Sequence, residues 1–332
     1  VESYPRVHAT LERETVGDYS LLYTWRGRDP ERRPILLLAH MDVVPVAPGS
    51  ESSWHHPPFS GDIADGFIWG RGALDDKVSV LAILEAIERL LADGFTPERT
   101  VYLAFGHDEE VDGLQGTGKI AALLGDRGVE LEFTLDEGGI IAHDIVPGVA
   151  SPVALLGVTE KGYLALKLRA GTEECGHASM PPWTTAIGRL AGSIHGLESN
   201  PMAANLAPPV TDMFDRLASE MSLMLRLAVT NRWLFSSLVT SRLSESCATD
   251  AAIRTTTAVT KISGGVKANV LPLAAEAIVD FRILPSDSIA SVTAHVREVI
   301  DDPLIEISQH GAANEPPPLS DISSMGFQAV QT

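Results

Sequence analysis

Three short apolar runs separated by a helical pattern constrain the fold of this chain most strongly. Residues 35–39 are continuously apolar, and residues 100–106 and 130–135 are two further strand-like segments. Between the first two runs, residues 78–92 carry apolar side chains at a period of 3.6, which is typical of an amphipathic helix. Apolar runs of this kind are buried on both faces of a sheet, and alternation with helices favours parallel pairing. The first half is therefore predicted to be an α/β unit with a mostly parallel sheet and helices on both faces.

The order of the patterns changes after residue 161. The pattern predicts a strand, a helix, two strands, a helix and a strand, at residues 162–170, 186–197, 255–263, 276–284, 289–300 and 304–309. This β-α-β-β-α-β order is that of a ferredoxin-like α+β unit. An insert at about 205–250 is rich in Met, Leu, Phe and Trp at helical spacing. One interpretation is a pair of helices packed on the domain. The other is an apolar surface that covers a hydrophobic substrate or forms an interface.

The charge of the chain excludes one class of partner. The 332 residues include 25 Lys and Arg against 44 Asp and Glu, a net charge of −19. Such a chain repels the phosphate backbone, so nucleic acid is excluded as a partner. No apolar run reaches the roughly 18 residues of a membrane span. Cys175 and Cys247 are too far apart in sequence to indicate a disulfide framework or a cysteine zinc site.

Ligand-type side chains follow each of the three strand-like runs. His40 and Asp42 follow the first run, Glu109 and Glu110 the second, and Glu137 the third. Because ligands of open α/β sheets bind at the carboxyl ends of the strands, these side chains are expected to converge. Residues two apart on a strand point the same way, so Asp42 can hold the His40 ring.

A fourth cluster is a glycine-rich turn, residues 70–74, which brings Asp75 and Asp76 to the start of the predicted helix. Each cluster alone has an ordinary structural interpretation, since a His-x-Asp pair is commonly hydrogen-bonded and the helix dipole favours carboxylates. Four clusters at the ends of elements together indicate a metal centre. His nitrogen and carboxylate oxygen are the ligands that divalent cations need.

The residues in these clusters resemble a known family. AHMDVVP at 39–45, GRGALDDK at 70–77 and DEE at 108–110 closely resemble the M20 zinc metallopeptidases. Within them, the chain is similar to the carboxypeptidase S and N-acyl-amino-acid amidohydrolase branch, close to aminoacylases. GHASMPP at 176–182 and GVKANVLP at 265–272 extend the resemblance, which runs from about residue 30 to the end. It implies a zinc-exopeptidase-like fold with an inserted ferredoxin-like domain.

The resemblance also implies roles for the clustered side chains. Asp75 would bridge two zinc ions, and its peptide bond to Asp76 would be cis. His40 and Glu137 would complete one metal site, and Glu110 would belong to the other. Glu109 would be the general base. Co²⁺ or Mn²⁺ are substitutes for zinc at such a site.

Three residues of the second domain receive roles by resemblance. His177 would reach across a homodimer, formed through the inserted domain, to stabilise the oxyanion. Asn269 and Arg282 would contact the substrate carboxylate, which an Arg binds with two parallel hydrogen bonds. A loop-capping role for His177 and a structural ion pair for Arg282 remain alternatives.

The resemblance divides the chain into three segments. Residues 1–161 would be the catalytic zinc-binding part, 162–311 the ferredoxin-like lid and dimerisation domain, and 312–332 the start of a returning catalytic segment. The family has one more His ligand, and His310 is too early to supply it. The chain also begins without Met or a signal peptide. We therefore expect a fragment that is truncated at both ends and inactive on its own. The sequence does not determine the cellular compartment, although the cytoplasm is slightly favoured.

The implied activity is hydrolysis of an amide bond by water activated between two zinc ions. The expected substrates are peptides with a free C-terminus or N-acyl amino acids, bound as small molecules. Two alternatives stay open at this point. One is a naturally shortened, non-catalytic relative that binds zinc or a peptide-like ligand, and the other is a short-chain aminoacylase or dipeptidase.

Overall fold

The structure is a computed structural model, and it describes residues 2–143, 146, 148–172 and 176–331. The chain divides into two compact units, each with most of its contacts inside itself. The first unit is Val1–Gly138 with Ser323–Thr332, and the second is Gly139–Ile322. The domain limits expected from the sequence, after residues 161 and 311, both fall inside the second unit. Of the two cysteines, Cys175 lies outside the described residues and Cys247 has a free, exposed thiol.

The first unit is built around a five-stranded mixed sheet. Its elements are α1 (Pro5–Thr10), β1 (Glu12–Val16), β2 (Ser20–Trp25), β3 (Ile35–His40), β4 (Asp62–Ala64), β5 (Phe67–Trp69), α2 (Lys77–Ala92), β6 (Val101–Gly106), α3 (Thr117–Asp126) and β7 (Phe133–Leu135). The strand order is β1-β2-β6-β3-β7. β3 pairs in parallel with β6 and β7, whereas β2 pairs antiparallel with β1 and β6. The three runs identified in the sequence thus pair in parallel, and the β1–β2 hairpin adds an antiparallel edge.

Helices cover both faces of this sheet because successive strand residues point to opposite faces. One face packs against α1 and α2 through Val7, Ile87, Tyr23, Trp25, Val101, Leu103 and Phe105. The other face packs against α3 through Leu22, Leu36, Ala104, Ile120 and Leu124. Both faces are buried, which explains why β6, and β3 as far as Ala39, are continuously apolar. The predicted α/β layering is confirmed.

A close backbone crossing follows β2 in the first unit. The amide of Arg28 donates to the carbonyl oxygen of Pro97 at 2.9 Å, so the chain lies directly beside the segment that leads into β6. A Cβ added to Gly27 would lie 2.3 Å from the carbonyl carbon of Arg99 and 2.5 Å from the carbonyl oxygen of Glu98. The sheet therefore requires glycine here, since both neighbouring atoms belong to the backbone.

The second unit contains the predicted ferredoxin-like order. Its elements are β8 (Ile140–Ala142), β9 (Val153–Leu155), β10 (Gly162–Gly171), α4 (Ala186–Ser199), α5 (Val210–Leu217), α6 (Leu223–Thr230), α7 (Arg232–Leu243), α8 (Cys247–Ile253), β11 (Thr256–Gly264), β12 (Ala274–Ile283), α9 (Ile289–Ile300) and β13 (Ile305–Gln309); the last helix, α10 (Met325–Gln331), belongs to the first unit. Four antiparallel strands have the order β11-β12-β10-β13. α4 and α9 pack together on this sheet around Leu190, Val292 and Phe281.

The insert between α4 and β11 consists of the helices α5 to α8. Its own core contains Phe214, Met221, Val229 and Val239. Six of its large apolar side chains are exposed: Leu223, Met224, Leu227, Trp233, Leu234 and Leu238. The insert is therefore helical and packed, as one interpretation expected, and it also presents the apolar surface on which the other interpretation rests. No described helix has the length and apolar character needed to cross a membrane.

Two Gly→Ala changes should have opposite effects on stability. Gly27→Ala places a methyl group against the backbone at Arg99, so we expect the midpoint of thermal unfolding to fall by several degrees, for a loss of roughly 1–3 kcal/mol. Gly125 lies in α3, and nothing is within 4 Å of an added Cβ. Gly125→Ala should hold or raise the midpoint, since Ala is favoured over Gly in helices by about 1 kcal/mol. Equal midpoints for both variants would contradict the close crossing.

Candidate metal centre

His40 is the last residue of β3 and lies opposite Gly106, the last residue of β6. The amide of Met41 donates to the carbonyl oxygen of Gly106 at 2.8 Å, so the pairing continues one residue beyond the strand. The His40 side chain is buried, with the residue only 2% exposed. Parallel pairing therefore fixes an imidazole at the carboxyl edge of the sheet.

The orientation of the His40 ring follows from its contacts. Nδ1 lies 3.1 Å from the backbone carbonyl oxygen of Asp42 and 3.4 Å from the Oδ1 atom of the same residue. A carbonyl oxygen only accepts, so Nδ1 donates this hydrogen bond. Nε2 is then the nitrogen that can bind a metal, once it gives up the proton that it shares with Asp75. It lies 2.9 Å from Asp75 Oδ1, 3.6 Å from Glu137 Oε2 and 3.8 Å from Glu109 Oε2.

Asp42 holds the Glu109–Glu110 turn through its carboxylate. Oδ1 accepts from the amide of Glu109 at 3.2 Å, and Oδ2 accepts from the amide of Glu110 at 3.0 Å. Glu110 is further restrained because its Oε1 accepts from the amide of Val44 at 3.2 Å. Asp42 therefore binds the His40 ring through its backbone carbonyl, and it binds the turn after β6 through its side chain.

No role was predicted for the side chain of Asp76, the residue that follows Asp75. It is 1% exposed, and its Oδ2 accepts from the amide of His40 at 3.2 Å. The peptide bond between Asp75 and Asp76 is cis, as the resemblance implied. Asp76 thus fixes the turn that presents Asp75. The adjacent carboxylates were the available signal, but spacing alone does not say which of the two faces the metal centre.

The structure brings the five predicted metal-centre side chains together. Two groups have ligand atoms within 4.8 Å of one another: His40 with Glu109 and Glu137, and His40 with Asp75 and Glu110. One imidazole nitrogen and several carboxylate oxygens match the donor set of zinc, and Co²⁺ and Mn²⁺ accept the same atoms. The residues present therefore fit a divalent metal.

The charges around His40 support the same conclusion. Burial works to lower the pKa of His40, but the hydrogen bond with Asp75 and the charges of Glu137 and Glu109 outweigh it and raise this pKa. The ring therefore lies in a strongly negative environment. A bound cation would reduce the repulsion among the surrounding carboxylates, as a proton on the ring does.

Two carboxyl groups of the centre also have raised pKa values. Burial is the main cause for Glu109, and the charge of Glu110 adds to the rise in its pKa. Burial, together with the charge of Asp76, raises the pKa of Glu137 to about 7. Both groups hold protons more strongly than ordinary carboxyl groups, and at Glu137 a proton and a metal ion compete near neutral pH.

The predicted substrate residues all lie in the second unit. Asn269 Nδ2 is 3.3 Å from Nε2 of His177, and the His177 ring contacts Ser179 Oγ at 2.9 Å through Nδ1. Arg282 Nε donates to Asp280 Oδ1 at 3.2 Å, and its guanidinium carbon lies 4.9 Å from the centre of the Tyr163 ring. His177 and Asn269 are therefore adjacent and exposed, while Arg282 has the ion pair that the alternative interpretation expected.

Comparison with known proteins identifies the family. Residues 36–323 match the peptidase family M20/M25/M40. The chain is 43% identical over 332 residues to the probable carboxypeptidase S-like 2 of Dictyostelium discoideum, covering 99% of this chain and 63% of that protein. It is 40% identical over 333 residues to the N-fatty-acyl-amino acid synthase/hydrolase PM20D1 of Bos taurus, covering 99% of this chain and 65% of that protein. The chain thus spans just under two thirds of the length of these relatives.

A solved structure agrees with this assignment at the level of the fold. The M20 family metallo-carboxypeptidase Sso-CP2 from Sulfolobus solfataricus superposes with a TM-score of 0.64 at 19% identity. The match covers 99% of this chain and 75% of that one. From the sequence match, the clustered ligands at the sheet edge and this shared fold, the chain belongs to the peptidase family M20/M25/M40.

Proposed function

We propose that this protein is part of a two-zinc amidohydrolase that cleaves peptides with a free C-terminus or N-acyl amino acids. One observation carries the proposal: Nε2 of the buried His40 is surrounded by the carboxylates of Asp75, Glu109 and Glu137 at 2.9–3.8 Å. Four carboxylates and an imidazole at one sheet edge suit a pair of divalent ions. A non-catalytic, metal-binding relative is the outcome that the first experiment below would reveal.

We assign the ligands by distance and by family resemblance. Asp75, the nearest carboxylate to Nε2, would bridge the two ions. His40 and Glu137 would be the other ligands of one ion, and Glu110 would bind the second ion. The zinc ions, when bound, would polarise the amide carbonyl and lower the pKa of a water molecule.

Glu109 remains for proton transfer. Its Oε2 is the most distant of the three carboxylate oxygens from Nε2, at 3.8 Å, and its side chain is 53% exposed. Asp42 fixes its backbone, so the carboxylate is placed without being a required ligand. A raised pKa suits a base that takes a proton from water and returns it to the leaving amine. Glu109 is therefore proposed as the general base.

The substrate class rests on the relatives and on the second unit. The proteins named above are a carboxypeptidase S-like protein and an N-fatty-acyl-amino acid synthase/hydrolase. Peptides and N-acyl amino acids both present an amide next to a free carboxylate. The ion pair of Arg282 with Asp280 uses Nε, and a guanidinium has four further N–H donors that could bind such a carboxylate. We propose Asn269 and Arg282 for this carboxylate, and His177 for the oxyanion in a homodimer.

Glu109→Gln in the full-length protein should remove activity and keep metal. The amide cannot accept a proton, so kcat should fall by about 10²–10⁴-fold while zinc per chain is unchanged. Zinc content is measured by elemental analysis and hydrolysis with an N-acyl amino acid. Glu31→Gln, an exposed change in the same unit, is the matched control. Retained activity in Glu109→Gln would exclude this base, and an unsubstituted protein without zinc or hydrolysis would indicate the non-catalytic relative.

Zinc affinity should depend on pH through Glu137. Its folded pKa of about 7 lies above the ordinary carboxyl value, so Glu137 binds a proton as the pH falls through 7. The metal must displace that proton, and affinity should fall about tenfold per pH unit for each proton displaced. Competition with a chelator between pH 8 and 5.5 measures this slope. Glu137→Gln should bind zinc more weakly at pH 8 and with a shallower slope, and an affinity independent of pH would contradict the predicted competition.

The exposed apolar surface of the insert favours bulky acyl chains. A panel of N-acyl amino acids that share one amino acid and differ in acyl length should therefore show kcat/KM rising with chain length. Each methylene that becomes buried contributes about 0.8 kcal/mol, close to a fourfold gain. Highest kcat/KM for the acetyl compound would contradict this preference and favour a short-chain aminoacylase.

A further inference from the structure

Asp108 lies at the base of the turn that presents Glu109 and Glu110. It follows β6 and is 8% exposed. Its Oδ2 accepts from the amide of Gln115 at 2.7 Å. This hydrogen bond joins the two ends of the loop formed by residues 108–115, which we call the acidic loop. Asp108 is not among the metal ligands, and the proposed chemistry assigns it no role.

The backbone of Asp108 holds the same loop. Its carbonyl oxygen accepts from the amides of Val111 at 3.2 Å and Gly113 at 2.8 Å. Together with the bond to Gln115, one residue therefore receives three hydrogen bonds from the acidic loop. Asp112 adopts a left-handed conformation, with φ of +83°, at the point where the chain turns back. The loop is thus closed on Asp108.

The surroundings of the Asp108 carboxylate leave little room for movement. A Cβ added to Gly116 would lie 2.3 Å from Oδ1 of Asp108 and 2.6 Å from Oγ of Ser20. Ser20 is fully buried, and its Oγ lies 2.6 Å from Nδ1 of His107. Oδ1 of Asp108 is buried and has no hydrogen-bond partner among the described residues. The carboxylate is therefore held by packing at one oxygen and by the Gln115 amide at the other.

We propose that Asp108 is a positioning residue that fixes the acidic loop so that Glu109 reaches the reacting water. Asp42 binds the amides of Glu109 and Glu110 from the end of β3, and Asp108 closes the loop at the end of β6. The inference rests on the proposed hydrolase function. A reacting group displaced by about 1 Å loses roughly 100-fold in rate, so this restraint matters to kcat more than to substrate binding.

Three variants of the full-length protein test this role. Asp108→Ala removes the bond to Gln115 and should lower kcat about 100-fold, with KM changed by less than about threefold and zinc retained. Asp108→Asn keeps an oxygen that can accept from the Gln115 amide, so it should recover most of kcat. Asp112→Asn, an exposed change in the same loop that tolerates the left-handed conformation, is the matched control.

Hydrogen exchange provides a readout that does not depend on activity. The amides of the acidic loop should exchange faster in Asp108→Ala than in the unsubstituted protein, and Asp108→Asn should restore their protection. Unchanged protection, or a kcat for Asp108→Ala within about threefold of the unsubstituted value, would overturn the proposal. An unsubstituted protein without zinc-dependent hydrolysis would overturn the proposed function instead, and exchange alone would then decide whether Asp108 holds the loop.

Discussion

Parallel pairing of β3 with β6 is the constraint on which the candidate metal centre depends. The register sets His40 opposite Gly106, so the segments after both strands leave the sheet at the same edge. Asp42 then lies within hydrogen-bonding distance of the amides of Glu109 and Glu110. A shift by one residue would turn His40 to the other face of the sheet and separate it from the carboxylates. The apolar side chains of β3, buried on both faces, hold this register.

Hydrophobic periodicity predicted the elements that build this edge. Residues 35–39, 78–92 and 100–106 correspond closely to β3, α2 and β6. The hairpin of β1 and β2 was not predicted. β1 begins with three consecutive charged residues and lacks the apolar alternation that predicts a strand. β2 has only six residues, and periodicity alone cannot distinguish so short a run from a helical segment. Its antiparallel pairing depends on contacts with β6 that are distant in sequence.

The sequence predicted which side chains lie together at the sheet edge, because strand ends in an α/β sheet converge. It could not predict how each residue makes its contacts. Asp42 was expected to hold the His40 ring through its carboxylate, but the shorter contact is through the backbone carbonyl, at 3.1 Å, and the carboxylate binds the Glu109–Glu110 turn. The path of the backbone after β3 determines that difference, and residue spacing does not encode it. The proposed division of ligand and base between Glu109 and Glu110 likewise depends on the direction of each side chain.

The charged residues of β1, a strand that the sequence patterns did not predict, affect how the protein aggregates. β1 is an outer strand of the sheet, and its unpaired backbone groups could template pairing with another chain. Glu12 is bound to Arg26, and Glu14 to Arg127, with Arg13 between them. Any strand that approached this edge would have to bring its own side chains against this row of charges. The charges along β1 thus disfavour edge-to-edge pairing with another chain, the contact from which fibrous aggregation starts.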